Sequence, residues 1–413
     1  MNVNQTAPGS GVDIALAKRN ALILAASNAF LGAGAPIAVS LGGLAGDYML
    51  GEDKSLATAQ VTGFTLGVAV GALPAAWLMR LIGRRLGFMG GAGLNGLGGA
   101  VATVALFQSS FWLFAFGLLI IGMGNSFIQQ YRFAATDNAP DNFKGQAISW
   151  VLMGGVISAV IGPQLVIFTR DFFAPIMFAG AYASILGLAA IGAVILSLLR
   201  IKENTVLLEH RSETPERPLL RIVFQQKFLT ALACGVCSYA MMSFMMTGAP
   251  LAMVGCGFST DMAALGIQWH VLAMFAPSFF TGKLIARFGY APIIACGLAI
   301  LIACAVVAGL GIQLWNFWGA LVLLGIGWNF GFIGATTMLA ASHEPHERGR
   351  MQGLNDLIVF GGVTLASLSS GGLMNCSGGT PEAGWASVNL AMIPCLTLAG
   401  GALIWLMLRP KEA

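Results

Sequence analysis

Of the 17 acidic residues in the chain, only Asp356 lies clearly within an apolar run, in Gln352-Gly-Leu-Asn355-Asp356. A carboxylate in apolar surroundings is expensive to keep charged, so it is a functional candidate by default. His270, after Gln268-Trp269, sits midway along another apolar run. Its imidazole could exchange protons near neutral pH, or could simply hold a neighbour or a solute as a neutral ring. Arg132 closes a third run beside Gln129, Gln130 and Tyr131. It reads equally as a functional base and as an interfacial arginine that pairs with Asp137. One acid and one histidine do not make the nucleophile–base pair or converging ligand set of an enzyme. His343-Glu-Pro-His346-Glu347 lacks zincin spacing, so no metal is expected. Cys234-x-x-Cys237 falls inside an apolar run, where thiols act as small hydrophobes. Only Cys256 and Cys376 are placed where a disulfide is conceivable. The glycine-rich run 87–99 follows no strand and is no dinucleotide loop, and no cofactor is expected.

The elements that carry these residues follow from composition. The chain has 413 residues, 57% hydrophobic and 9% charged, with a mean hydropathy of +0.80. Soluble domains carry about 25% charged residues, so a water-exposed fold is excluded. The apolar stretches suit spanning helices of about 20 residues, not barrel strands of about 10. Twelve spans are predicted, at 20–43, 57–80, 86–108, 111–134, 146–169, 174–200, 228–254, 261–284, 289–312, 315–341, 351–375 and 386–408. The first 17 residues lack the pattern of a cleaved signal peptide, so the first run is read as helix 1.

Of the 21 basic residues, 19 fall on the side of the two termini, leaving Lys54 and Arg170 on the other. Basic loops stay cytoplasmic, so both termini are expected inside a multi-pass cytoplasmic (inner) membrane protein embedded in the lipid bilayer. The bases are scattered over short loops, which argues against nucleic-acid binding.

The polar stretch 201–227 divides the chain, and the two parts repeat one another. Gly83 and Gly289 close similar basic motifs 206 residues apart, and Pro140 and Pro345 end similar helices 205 residues apart. The predicted organisation is a tail at 1–19, a six-helix bundle at 20–200, a linker at 201–227, a second bundle at 228–408 and a tail at 409–413. An amphipathic stretch near Leu219–Phe224 is expected on the membrane surface. Gly63, Gly67 and Gly71 recur every fourth residue, permitting close helix packing or a sliding surface.

Duplicated six-helix units are a plan of secondary transporters, and here the chain resembles the major facilitator superfamily. The family's loop signature, Gly-x3-Asp-Arg-x-Gly-Arg-Arg, is matched by Gly83-Arg84-Arg85, whereas Ala76, Arg80 and Leu81 depart from it. The second copy keeps Gly282, Arg287 and Gly289 but has Ala286 in the acidic slot. The resemblance implies an all-α membrane fold of two pseudo-symmetric six-helix bundles and a carrier, not an enzyme. It implies a cavity lined by helices 1, 4, 7 and 10, hence by Asn28, Phe30, Asn125, Ser238, Tyr239, Trp328 and Asn329. It implies that Arg132 gates or contacts solute, and that Asp356 pairs with Arg80 in a charge-swapped latch between helices 2 and 11. His270 is the candidate for coupling to protons. A neutral, aromatic and amide lining suits a largely uncharged, ring-containing small molecule. The stretch from Pro345 to Gly362 is similar to a bacterial group of the superfamily that includes riboflavin transporters. Uptake of riboflavin or a similar vitamin by a monomer is the first expectation. Proton-coupled export of drugs or metabolites is the alternative.

Overall fold

A chain this apolar must satisfy its backbone polar groups internally once it leaves water, and continuous helices do so. The computed structural model describes residues 14–51, 54–136, 139–200, 219–342, 347–376 and 379–408. Its twelve helical spans are α1 (Ile14–Met49), α2 (Ala59–Met79), α3 (Leu81–Phe107), α4 (Phe111–Ala134), α5 (Gln146–Thr169) and α6 (Ala179–Ser197) in the first half. The second half has α7 (Gln226–Gly255), α8 (Thr260–Phe288), α9 (Tyr290–Gly309), α10 (Leu314–Ala340), α11 (Leu354–Asn375) and α12 (Pro381–Leu408). All twelve expected spans are present, and the protein is a multi-pass membrane protein. Large apolar side chains such as Leu73, Phe168 and Leu398 point outward, as a lipid-facing surface requires.

α1 is longer than its predicted run because Lys18 and Arg19 extend it past the apolar stretch, where Arg19 Nη2 donates to the Leu198 carbonyl at 2.7 Å. The second half repeats this contact. Gln226 Nε2 donates to the Trp405 carbonyl at 3.1 Å, and each pair is 179 residues apart. Both bonds tie the first helix of a half to the end of its sixth. They lie at the end of the bundle that holds Ile14 and Leu408, called here the termini side.

Several spans are broken. α1 turns at Gly32-Ala33, and α8 is interrupted ahead of Ser278, after Pro277. Gly83 links α2 to α3 without a loop, at φ 81°.

The glycine series of α2 faces α4. A Cβ on Gly63, Gly67 or Gly71 would fall 2.7 Å from the Ala115 carbonyl oxygen, 2.1 Å from the Leu119 carbonyl oxygen and 2.8 Å from Ser126 Oγ. These glycines therefore form a fixed joint within the first half, not a surface on which halves slide.

Most of the predicted linker, with the His343–His346 motif and Asp137, lies outside the described residues. Its last part forms a short helix, Leu219–Val223, with Ile222 buried and Phe224 exposed.

Candidate solute cavity and its seal

The hydrogen bonds and ion pair described between the halves gather away from the termini side, at what is called here the far side. Between α2 and α11, Thr58 Oγ1 donates to the Ser367 carbonyl at 3.0 Å, and Thr62 Oγ1 donates to Ser367 Oγ at 3.4 Å. Ser367 also shares a 3.4 Å hydroxyl bond with Thr247 of α7. Just beyond, Asn375 Nδ2 donates to the Lys54 carbonyl at 2.6 Å. Between α5 and α8, Gln164 Nε2 donates to Gln268 Oε1 at 2.9 Å. Past the end of α5, Arg170 forms an ion pair with Asp261 in the first turn of α8, with Nη2 3.3 Å from Oδ2. An apolar plug fills the space between: Val39, Val61 and Ala159 from one half, Ile267 and Val271 from the other. Hydroxyls, amides and one ion pair thus surround an apolar plug on this side.

Toward the termini side the character changes. Tyr239 of α7 meets Trp328 and Phe332 of α10 edge-on, with centroids 5.4 and 4.9 Å away, and Phe360 of α11 at 5.7 Å. Trp328 and Phe332, one turn apart, stack nearly parallel at 5.3 Å and 17°. Together they make an aromatic wall against which a flat ring could lie. Asp356 is one turn before Phe360, hence on the same face of α11. Its carboxylate interacts electrostatically with both Tyr239 and Arg132, although Arg132 comes from the other half. Arg132 and Asp356 are both exposed, and no salt bridge joins them. A base of one half therefore lies within electrostatic reach of an acid of the other, near Tyr239 of the aromatic wall.

The structure sorts the other expected residues by what their polar atoms do. Asn28 Nδ2 donates to the Val151 carbonyl at 2.9 Å and ties α1 to α5. Asn329 is fully buried, donating to the Met274 carbonyl at 2.6 Å and to Ser278 Oγ at 2.7 Å while accepting from Thr281 at 2.6 Å. These amides hold helices together. His270 is fully buried inside the second half, its Nδ1 2.8 Å from the Leu321 carbonyl. A carbonyl can only accept, so Nδ1 carries the proton and the ring braces α8 against α10. Asn125 is buried, Phe30 half-buried, and Ser238 lies against Gly331. The side chains of Arg80 and Cys376 lie outside the described residues, and with them the Arg80–Asp356 and Cys256–Cys376 pairings. Arg132 is the base described near Asp356.

Sequence reasoning missed Phe332, Phe360 and the whole far-side seal. One signal was available for the seal: Arg170 is one of only two bases placed on that side.

Residues 21–367 match the family model described as the Major Facilitator Superfamily. The chain belongs to the Major Facilitator Superfamily. Within it, the chain is 47% identical over 404 residues to "Riboflavin transporter RfnT" of Brucella anthropi, covering 97% of this chain and 98% of that protein. It is 29% identical to an uncharacterised transporter of the superfamily, YddS of Bacillus subtilis, over 96% of this chain and 93% of that one. Among solved structures it is similar to the nucleoside transporter NupG, with a TM-score of 0.69 and 12% identity over 95% of this chain and 100% of that chain. It is also similar to a bacterial homologue of the lysosomal transporter Spinster in an inward-facing, unoccupied conformation. That TM-score is 0.64 at 16% identity, over 96% of this chain and 99% of that chain. At such identities the structures speak for the fold alone. Fold and family together make this protein a transporter of the superfamily.

Proposed function

We propose that this chain carries riboflavin, or a vitamin of closely similar ring structure, into the cell across the cytoplasmic membrane by alternating access. The observation that carries the reading is the 47% identity, over nearly the full length of both proteins, to a transporter named for riboflavin. The aromatic wall of Tyr239, Trp328, Phe332 and Phe360 supports it, because a flat tricyclic solute offers the matching face. Riboflavin is uncharged, which agrees with a wall whose polar atoms near the rings are few. Arg132 and Asp356 supply complementary polar groups near the wall, a guanidinium that donates to a carbonyl and a carboxylate that accepts from an N–H.

Within this reading the repeating units are 20–200 and 228–408, supported by the matching contacts of Arg19 and Gln226. Both termini are cytoplasmic, supported by the 19 bases on their side. The far-side seal then closes the outside, and the wall with Arg132 and Asp356 opens toward the cytoplasm. Binding and rocking require a single chain, and protons are the coupling ion to test first.

A riboflavin-auxotrophic bacterium that lacks its own uptake system and expresses this chain is expected to grow on low external vitamin. Absence of growth, with the protein present in the membrane, would overturn the reading. Resistance to hydrophobic drugs in the same cells would turn it to export.

A further inference from the structure

The connection between α5 and α6 has the composition of a span without the backbone of one. It reads Arg-Asp-Phe-Phe-Ala-Pro-Ile-Met-Phe at 170–178. The sixth apolar run is predicted to begin at residue 174, yet α6 begins at Ala179, and residues 170–178 are non-helical. Phe172 is 77% exposed, and Phe173, Met177 and the nearby Phe168 of α5 are exposed as well. The backbone is nonetheless paired inside the connection. The N–H groups of Phe172, Ala174 and Ile176 donate to the carbonyls of Thr169, Asp171 and Phe173 at 3.1, 3.1 and 2.9 Å, and Pro175 has no N–H to give. A solvated loop needs neither feature, because water partners its backbone and favours polar side chains.

We propose that residues 171–177 are an interfacial anchor that rests in the far-side leaflet of the bilayer, at the boundary between headgroups and acyl chains. Phe173 meets Phe107, the last residue of α3, edge-on at 5.7 Å, and Phe172 meets Phe173 at 5.2 Å. Phe107 and Phe168 are exposed on spans, so the rings of the connection extend a surface that already faces lipid. Trp112, exposed in the first turn of α4, stands at the same end as Phe107, where indoles settle between lipid and water. Irregular backbone is excluded from the hydrocarbon core, but an apolar face can sink about 5–10 Å into the boundary. Charge at that depth reaches for a partner or for water. Arg170 turns to Asp261, and Asp171 stays exposed beside it. The matching connection between α11 and α12 reads Cys-Ser-Gly-Gly-Thr at 376–380, with no aromatic residue. The anchor therefore has no equivalent in the repeat. It ties the lipid to the first half one residue from Arg170, the base of the far-side ion pair, whichever solute is carried.

The test uses full-length protein in which the seven cysteines are replaced by alanine and transport is first shown to persist. It is reconstituted into liposomes of phosphatidylethanolamine and phosphatidylglycerol. Phe172→Cys and Met177→Cys, both at exposed positions, each receive a nitroxide label, and Glu382→Cys in the first turn of α12 is the aqueous reference. Power saturation then compares relaxation of the label by dissolved oxygen, which concentrates in lipid, with relaxation by a nickel chelate, which stays in water. At positions 172 and 177 oxygen is expected to act more strongly than nickel, and at position 382 the order is expected to invert. Labels at 172 and 177 relaxed mainly by the nickel chelate would overturn the proposal and make the connection a solvated loop. Labels reached by neither reagent would overturn it as well, because protein, such as a second copy of this chain, would then cover the segment.

Discussion

Gly83 and Gly289 lie 206 residues apart and adopt one backbone conformation, φ/ψ of 81°/160° and 85°/167°. Each joins the second helix of its half to the third, in a region of backbone space that only glycine enters freely. The identity of these two angles is the duplication seen at the level of a single residue. Substituting either by alanine is expected to cost about 1–3 kcal/mol. Thermal unfolding in detergent should therefore show similar losses for Gly83→Ala and Gly289→Ala, and no further chemistry at either position is needed to explain them.

The joint between α2 and α4 makes a second prediction. A Cβ at Gly67 would sit 2.1 Å from the Leu119 carbonyl oxygen, which is backbone and cannot step aside, whereas one at Gly90 of α3 meets nothing within 4 Å. Gly67→Leu is expected to cost at least the roughly 1–3 kcal/mol typical of overpacking, and to lower the yield of monodisperse protein. Gly90→Ala is expected to be silent. Equal yields for the two would mean that α2 and α4 are further apart than described.

Bracing and binding can be separated by kinetics. Asn329 makes three interhelical bonds and faces no open space, so Asn329→Ala should reduce stability and the amount of active carrier while leaving KM for the transported solute near wild type. Tyr239→Ala removes the ring that touches three other aromatic side chains, and should raise KM about tenfold, in line with the worth of stacked aromatic contacts. The comparison is made in vesicles with labelled solute, normalised to protein content. A KM effect at Asn329 equal to that at Tyr239 would move the solute site toward α8.

His270 donates its Nδ1 proton to the Leu321 carbonyl, and glutamine can place an amide N–H in the same direction. His270→Gln should therefore retain accumulation driven by a pH gradient, at a rate within about twofold of wild type, if bracing is the ring's whole role. Accumulation that no longer responds to the gradient would make the imidazole the coupling group.

Cys256, between α7 and α8 on the far side, tests the orientation. Burial, with a smaller contribution from Glu382, pushes its thiol above the ordinary value. Less thiolate is then present at neutral pH, so labelling should be slow near pH 7 and rise through the alkaline range. With the other six cysteines replaced, a membrane-impermeant maleimide added to intact cells should label Cys256 with that pH dependence. Labelling only in inverted vesicles would reverse the topology.

Much of this molecule follows from composition and period alone. Runs of apolar residues long enough to cross a bilayer leave the backbone no choice but helix, so the twelve spans were legible in the chain. The repeated glycines and prolines disclosed the duplication, since the same turn chemistry recurs at the same offset. The α2 glycine stripe could likewise be recognised as a close-packing face.

What could not be read is which polar atom finds which partner. Asn28, Asn329 and His270 look like solute ligands in a one-dimensional search, because an amide or imidazole at mid-span is equally suited to a neighbouring carbonyl and to a guest. Only the packing of α1 on α5, and of α8 on α10, shows that carbonyls take them. Conversely, Phe332 and Phe360 are lost among 26 phenylalanines until the tertiary fold turns them toward Tyr239. The sparse charge of the chain dictated membrane residence, and the placement of its bases predicts an orientation. Its pairing across two halves, Arg170 with Asp261 in contact, is decided by how the bundles pack, which no local sequence preference encodes.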